Sequence, residues 1–142
     1  MDNEKMKVIL DNGAYMPERA HETDAGYDLR TPQRVIVRKH DSAVIDTGVH
    51  ILIGKGMFGK LESKSGLNVN HSVVSHGGVV DSGYTGSIKV KLYNHSGKDY
   101  IFEKGDKIVQ IIFHRYEAPE FEIVDRFEDT ERGDRGFGST GR

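Results

Sequence analysis

The run Gly77-Gly78-Val79-Val80-Asp81-Ser82-Gly83-Tyr84-Thr85-Gly86-Ser87-Ile88-Lys89-Val90-Lys91-Leu92-Tyr93-Asn94 has paired glycines at its entry and a strand at its exit. Apolar Ile88, Val90 and Leu92 alternate with polar Ser87, Lys89 and Lys91, the two-residue period of a half-buried strand. Val79 and Val80 form a short β-branched run, and Gly83 and Gly86 lie between the two. The pattern predicts a β-hairpin with a long turn. Gly77 and Gly78 leave bare main chain that a flat ligand can approach closely. Asp81 and Tyr84 fall at the turn, a carboxylate and a ring beside exposed backbone. The stretch reads as a site built on a hairpin.

Outward from it, the chain repeats the same grammar. Short runs such as Met6–Leu10, Val35–Val37, Ala43–Ile45, Val49–Ile53 and Tyr100–Phe102 are separated by turns rich in glycine or charge. Ile108 to Phe113 is nearly all apolar, as expected of a strand buried on both faces. Leu67 to Ser75 suggests strand or a short helical turn. No segment keeps a 3.6-residue apolar period over a usual helix length. Many short strands with glycine turns predict an all-β fold, a sandwich, barrel or jelly roll.

The 142 residues are one domain's worth of chain. A net charge of −2 gives no general pull toward nucleic acid or membrane. Any polyanion must therefore meet a few local cations. Cysteine is absent, which removes disulfides, thiolate nucleophiles and Cys-based metal sites and fits a reducing cytoplasm. The polar N-terminus has no signal-peptide core, and no apolar run approaches the ~20 residues of a membrane helix. A soluble cytoplasmic protein is expected.

Several features converge on phosphate. Lys64-Ser65-Gly66 offers a cation, a hydroxyl and a close backbone N–H. Gly138-Ser139-Thr140-Gly141 offers two hydroxyls and freely oriented amides, flanked by Arg132, Arg135 and Arg142. Such consecutive N–H groups form anion nests. Taken singly, Ser-Gly pairs are ordinary turns, and a basic glycine tail is simply mobile. Phe137 within the tail suggests something flat for it to cover. Asp81 and Asp28 are carboxylates able to activate or hold a water, although a turn Asp often bonds only its own backbone. Gly54 to Lys60 has P-loop spacing, but Leu61 stands where a Mg²⁺-binding hydroxyl is needed, so it is rejected. The seven histidines show no zinc spacing.

With these stretches assembled, the sequence resembles the trimeric deoxyuridine triphosphatases. Ala25 to Leu29, Lys64 to Leu67, Gly78 to Tyr84, Lys104 to Gln110 and Arg132 to Gly141 resemble the five family motifs in order. The resemblance implies a distorted β-barrel or jelly roll over residues 1–124, assembled as a homotrimer. Residues 125–142 would be a flexible glycine-rich arm closing over an active site. It implies hydrolysis of dUTP to dUMP and diphosphate with Mg²⁺, keeping uracil out of DNA and supplying dUMP for thymidylate synthesis. Asp81 would activate the water that attacks the α-phosphorus, and Tyr84 would pack on the deoxyribose. Uracil would be read by backbone near Gly78 and Lys89, with Ser75, Val79 and Val80 alongside. Lys64, Ser65, Gly66 and Gln110 would hold phosphates, and Asp28 would reach Mg²⁺ through water. Phe137 would stack on uracil, while Arg132, Gly138, Ser139 and Thr140 would close on the γ-phosphate. The partners so implied are dUTP and two further copies, with no nucleic acid or membrane and no other protein indicated.

Four positions depart from the family pattern: Lys64 for Arg, Asn70 for Lys, Gly83 for an acid, and Arg135 within a Gly-Gly. The related dCTP deaminases carry a Glu where Lys91 stands, which argues against deamination. A non-catalytic jelly-roll module is the alternative of a different class. Asp81, Gln110 and the complete tail argue against it.

Overall fold

The computed structural model describes residues 5–138, 140 and 141. Eleven strands and one short helix follow one another: β1 (Lys7–Leu10), β2 (Tyr27–Arg30), β3 (Val35–Val37), β4 (Ser42–Asp46), β5 (Val49–Leu52), β6 (Met57–Glu62), α1 (Ser65–His71), β7 (Val73–Val74), β8 (Val79–Val80), β9 (Lys89–Asn94), β10 (Tyr100–Phe102) and β11 (Lys107–Arg115). They form a four-stranded sheet in the order β2-β11-β6-β8, a three-stranded sheet β4-β9-β7, and the two-stranded ribbons β1-β5 and β3-β10. Every named pairing is antiparallel. The expected all-β architecture is what the chain adopts. No helix of the described residues is long and apolar enough to cross a membrane.

Alternation decides what is buried. Val90 and Leu92 of β9 point into the core with Asn94, and Lys89 and Lys91 point out. β11 lies between β2 and β6, and its Ile108, Val109 and Ile111 are buried among Leu29, Val37, Val49, Ile53 and Phe102. Burying each such side chain contributes about 1.5–3 kcal/mol. Two buried polar residues serve as internal ties. Asn94 Nδ2 donates to the carbonyls of Val37 and Lys98, and Thr47 Oγ1 donates to that of Ile88.

The hairpin expected from Val79 to Asn94 is not a paired ladder. β8 pairs with β6, Val80 opposite Gly59 and Val79 opposite Lys60, whereas β9 pairs with β4 and β7 in another sheet. The cause is prior commitment of the backbone. The N–H of Ile88 donates to Val49 and its carbonyl accepts from Thr47, so the start of the second arm is bonded to the β4–β5 corner. The segment between the arms therefore bridges two sheets, and its tip is a tight turn in which Tyr84 N–H donates to Asp81 O at 3.2 Å. Gly83 occupies the third position at φ 81°, as a type II turn requires.

Candidate functional site

Asp28 sits on β2 directly opposite Gln110 of β11, and Gln110 in turn faces Glu62 of β6. The Asp28 side chain is only 5% exposed, and two ammonium groups converge on it: Lys64 Nζ at 2.5 Å from Oδ1 and Lys107 Nζ at 3.1 Å from Oδ2. Burial pushes this carboxyl up, but the hydrogen bonds and charges of the two lysines outweigh it and hold it below the usual carboxylate range. Two cations around one anion leave the cluster net positive, which suits a polyphosphate. Lys64 arrives here because β6 ends at Glu62 and the chain turns into α1 immediately after it. Ser65 and Gly66 open that helix, exposed, with no side chain capping its first turn.

Gln110 is fixed by its neighbours. Its Nε2 donates to the Ser63 carbonyl at 3.1 Å, and its side chain fills the space over Gly26 where any Cβ would overlap it. Ser63 then passes the connection on. Its Oγ accepts from Ser75 N–H at 2.9 Å and donates to Ser75 O at 3.0 Å. Ser75 Oγ accepts from Gly77 N–H, and Leu61 N–H donates to Gly78 O at 2.9 Å. The loop from Ser75 to Gly78 is thus stitched along the end of β6, beside Gln110. Gly77 and Gly78 hold φ of 90° and 151°, conformations that disfavour L side chains, and a Cβ on Gly78 would stand 3.1 Å from Leu61 Cδ1.

Val79 points outward, Val80 inward, and the turn follows. The Asp81 side chain is exposed and makes no hydrogen bond among the described residues. Tyr84 lies across Gly86, whose missing Cβ makes room for the ring, and its hydroxyl donates to Ser87 O at 2.9 Å. Lys89 opens β9, exposed, opposite Asp46.

The expected residues therefore fall into three groups. Asp28, Lys64 and Gln110 meet, with Ser65 and Gly66 following. Ser75, Gly78, Val79, Val80, Asp81, Tyr84 and Lys89 lie along the loop, the turn and the strand after it. Arg132, Phe137, Gly138 and Thr140 stay in the tail, exposed, and their hydrogen bonds among the described residues are local: Arg132 Nε to Arg135 O at 2.8 Å, and Gly141 N–H to Gly138 O at 3.0 Å. Ser139 lies outside the described residues. Three contributors were not foreseen: Lys107, Ser63 and Gly26. Asp28 between Tyr27 and Leu29 is the one feature of the sequence from which a hidden cation such as Lys107 could have been sought.

No group of three or more His, Asp or Glu among the described residues is placed to hold a metal ion. Asp28 has lone pairs left beyond its two lysines, so it can accept from the waters of a cation that arrives with phosphates. It cannot bind one unaided against two ammonium groups.

The family model for dUTPase matches residues 12–141. A deoxyuridine 5'-triphosphate nucleotidohydrolase of swinepox virus is 39% identical over 134 residues, covering 94% of each chain. A mitochondrial one of Dictyostelium discoideum is 39% identical, covering 96% of this chain and 76% of its own length. Among solved structures, a Staphylococcus bacteriophage 80alpha dUTPase with dUPNHPP superimposes with a TM-score of 0.92 at 32% identity, covering 99% of this chain and all of that one. A mutant dUTPase of phage phi11 of S. aureus, with a coordinated structural Mg(II) ion, has a TM-score of 0.83 at 29% identity, covering 89% of this chain and all of that one. On fold, motifs and these likenesses together, the chain belongs to the dUTPase family and is a hydrolase acting on dUTP.

Proposed function

We propose that the chain hydrolyses dUTP to dUMP and diphosphate by attack of an Asp81-activated water on the α-phosphorus. The observation that carries the reading is the continuous tie from Asp28, Lys64 and Lys107 through Gln110 and Ser63 to the Ser75–Gly78 loop. A single line of side chains across the sheet thereby offers a cationic end for phosphates and a bare backbone end for a base.

Backbone donors and acceptors have a fixed order, so the Gly78 region can match uracil's edge and refuse cytosine's. Tyr84, held flat by its bond to Ser87, would pack on the deoxyribose and leave no room for a 2′-hydroxyl. Asp81, exposed and unbonded, is available as a base that holds a water in line with phosphorus. The N–H groups of Ser65 and Gly66, the Gln110 amide and the Lys64 ammonium would oppose the charge that grows on the phosphate oxygens. Bound with the nucleotide, Mg²⁺ supplies further neutralisation of the phosphates, and Asp28 would accept hydrogen bonds from its waters. The 1–124 jelly roll and the 125–142 arm are read as separate working parts. In the homotrimer, the arm's Phe137 would cover uracil, and Arg132, Gly138, Ser139 and Thr140 would close on the γ-phosphate. A cytoplasmic location completes the reading and rests on the cysteine-free composition.

Diphosphate release from dUTP, dCTP, dTTP and UTP with Mg²⁺ tests it. Turnover of dUTP alone is expected, and ammonia from dCTP would point instead to the deaminase chemistry. Asp81→Asn should retain dUTP binding and lose at least about a hundredfold in kcat, since a positioned base contributes about 10²–10⁴-fold. Unchanged kcat would remove Asp81 from the role.

A further inference from the structure

His50 lies on β5 opposite Ile9 of β1, three-quarters buried, and its ring spans the gap between the β1–β5 ribbon and the turn that carries Asp81 and Tyr84. Nδ1 is 2.7 Å from the carbonyl oxygen of Thr85, and Nε2 is 3.0 Å from Asp11 Oδ1. Both partners are acceptors. A neutral imidazole has one N–H, so in either tautomer a lone pair would face an oxygen. Only the imidazolium satisfies both contacts.

The surroundings favour that form. Asp11 is anchored by its own N–H, which donates to Gly48 O at 2.8 Å, so its carboxylate is presented to the ring. Asp46 at the end of β4 is the second nearby anion and accepts from Gly48 N–H and from Ser87 Oγ. Lys89 of β9, paired opposite Asp46, is the nearby cation. The Thr85 carbonyl first, and Asp11 second, hold the His50 ring above its ordinary range. Three bonds then converge on one short stretch of backbone. His50 holds the carbonyl of Thr85, Tyr84 holds the carbonyl of Ser87, and Asp46 holds the hydroxyl of Ser87. His50 supplies the only one of the three that a proton can switch near neutral pH.

We infer that His50, as the imidazolium, is a positioning residue that latches the Asp81–Gly86 turn to the β1–β5 ribbon for the hydrolysis of dUTP. The inference rests on the reading of Asp81 and Tyr84 as site residues. Its sign follows from the chemistry. A histidine whose proton is favoured in the folded state contributes fully below its unfolded value near 6.5, and the contribution fades as pH rises through the folded value.

The test compares kcat/KM for dUTP across pH in the full chain and in His50→Gln, whose amide can donate to only one of the two acceptors at a time. At pH 6 the variant should be about tenfold slower, the effect of one lost hydrogen bond to a charged group. The two curves should converge above the folded His50 value, where the native ring also keeps one donor. A constant ratio across pH would mean that His50 only packs, and identical profiles would mean that it does nothing for the turn; either overturns the inference. Imidazole ¹⁵N shifts of His50 in the unmodified protein give a readout that needs no variant to fold. Two protonated nitrogens at pH 7, where an ordinary imidazole has mostly lost one, titrating together with the Gly86 amide, are expected, and a single protonated nitrogen would sink the latch. If Asp81→Asn turned over dUTP at the native rate, the site reading would fail, while the ¹⁵N shifts would still judge whether the latch exists.

Discussion

Asp28 shows how one side chain can be both a structural and a functional commitment. Its carboxyl is held below the usual range, so its contribution to stability is present above the unfolded value near 3.8 and disappears as pH falls through the lower folded value. Asp28→Asn should therefore flatten the acid limb of stability below about pH 4. At neutral pH it should cost about 1–3 kcal/mol, because one of Lys64 and Lys107 loses its acceptor oxygen and both lose the opposing charge, yet both remain partly open to water. Urea titrations at pH 3 and pH 7 check both arms. Gly26 makes a sharper claim, since any Cβ there overlaps the Gln110 side chain. Gly26→Ala should displace Gln110 from Ser63 at about 1–3 kcal/mol of overpacking and lower kcat more than the melting temperature alone explains. Equal kcat in a folded Gly26→Ala protein would mean that Gln110 does not hold phosphate. At this scale the sequence exposed Asp28, Lys64 and Gln110 as candidates, but not that Lys64 pairs with Asp28 or that Ser63 fixes Gln110. Those partners lie 36 residues away for Lys64 and 47 for Ser63, and no local pattern encodes such pairings.

Among the elements, legibility followed length. β9 was readable because six residues alternate in and out, and β11 because its apolar run lies centrally between two strands. β8 has two residues, too few to specify a partner, so proximity in sequence suggested β9 when the backbone in fact pairs with β6. α1 was half legible: Leu67 to Ser75 read as strand or a short helical turn, and the chain forms a short helix to His71 and then the two-residue β7. The helix has no buried residue, no side-chain cap and no acid in its first turn, and it is held at its C-terminal end by Ser72 in the left-handed region, whose N–H donates to Asn68. The β6–β8 pairing carries its own test. Gly59 stands opposite Val80, and a Cβ there would come within 2.6 Å of Ile111 Cδ1. Gly59→Ala should cost about 1–3 kcal/mol as Ile111 and Ile53 shift to accommodate it. Because β8 leads directly into Asp81, hydrogen exchange should quicken at Val80 and the turn before it does at β9, which belongs to a different sheet. Uniform quickening would mean that the sheets open as one unit.

For the whole molecule, the question is what covers the apolar surface left by one chain. Ile9 and Leu52 are exposed on the β1–β5 ribbon, and every described side chain from Glu117 to Gly138 is exposed, with Phe121, Ile123, Phe127 and Phe137 almost wholly so. A lone chain seldom leaves so many large apolar groups in water without a partner surface to meet them. Copies of the same chain are the economical partner, and light scattering should give three times 15.9 kDa if the proposed trimer forms. The tail adds a stronger requirement. Its hydrogen bonds among the described residues stay within itself, so ending the chain at Val124 should leave the melting temperature of the body unchanged while kcat/KM falls by about a hundredfold or more through loss of closure. If the arm serves a neighbour's site, two defective proteins can mend one another. Asp81→Asn chains keep good tails, and chains ending at Val124 keep good Asp81 residues. Unfolding and refolding the two together should then restore activity that neither has alone, in proportion to the mixed trimers formed. No recovery from demonstrably mixed trimers would mean that each tail serves only the Asp81 of its own chain.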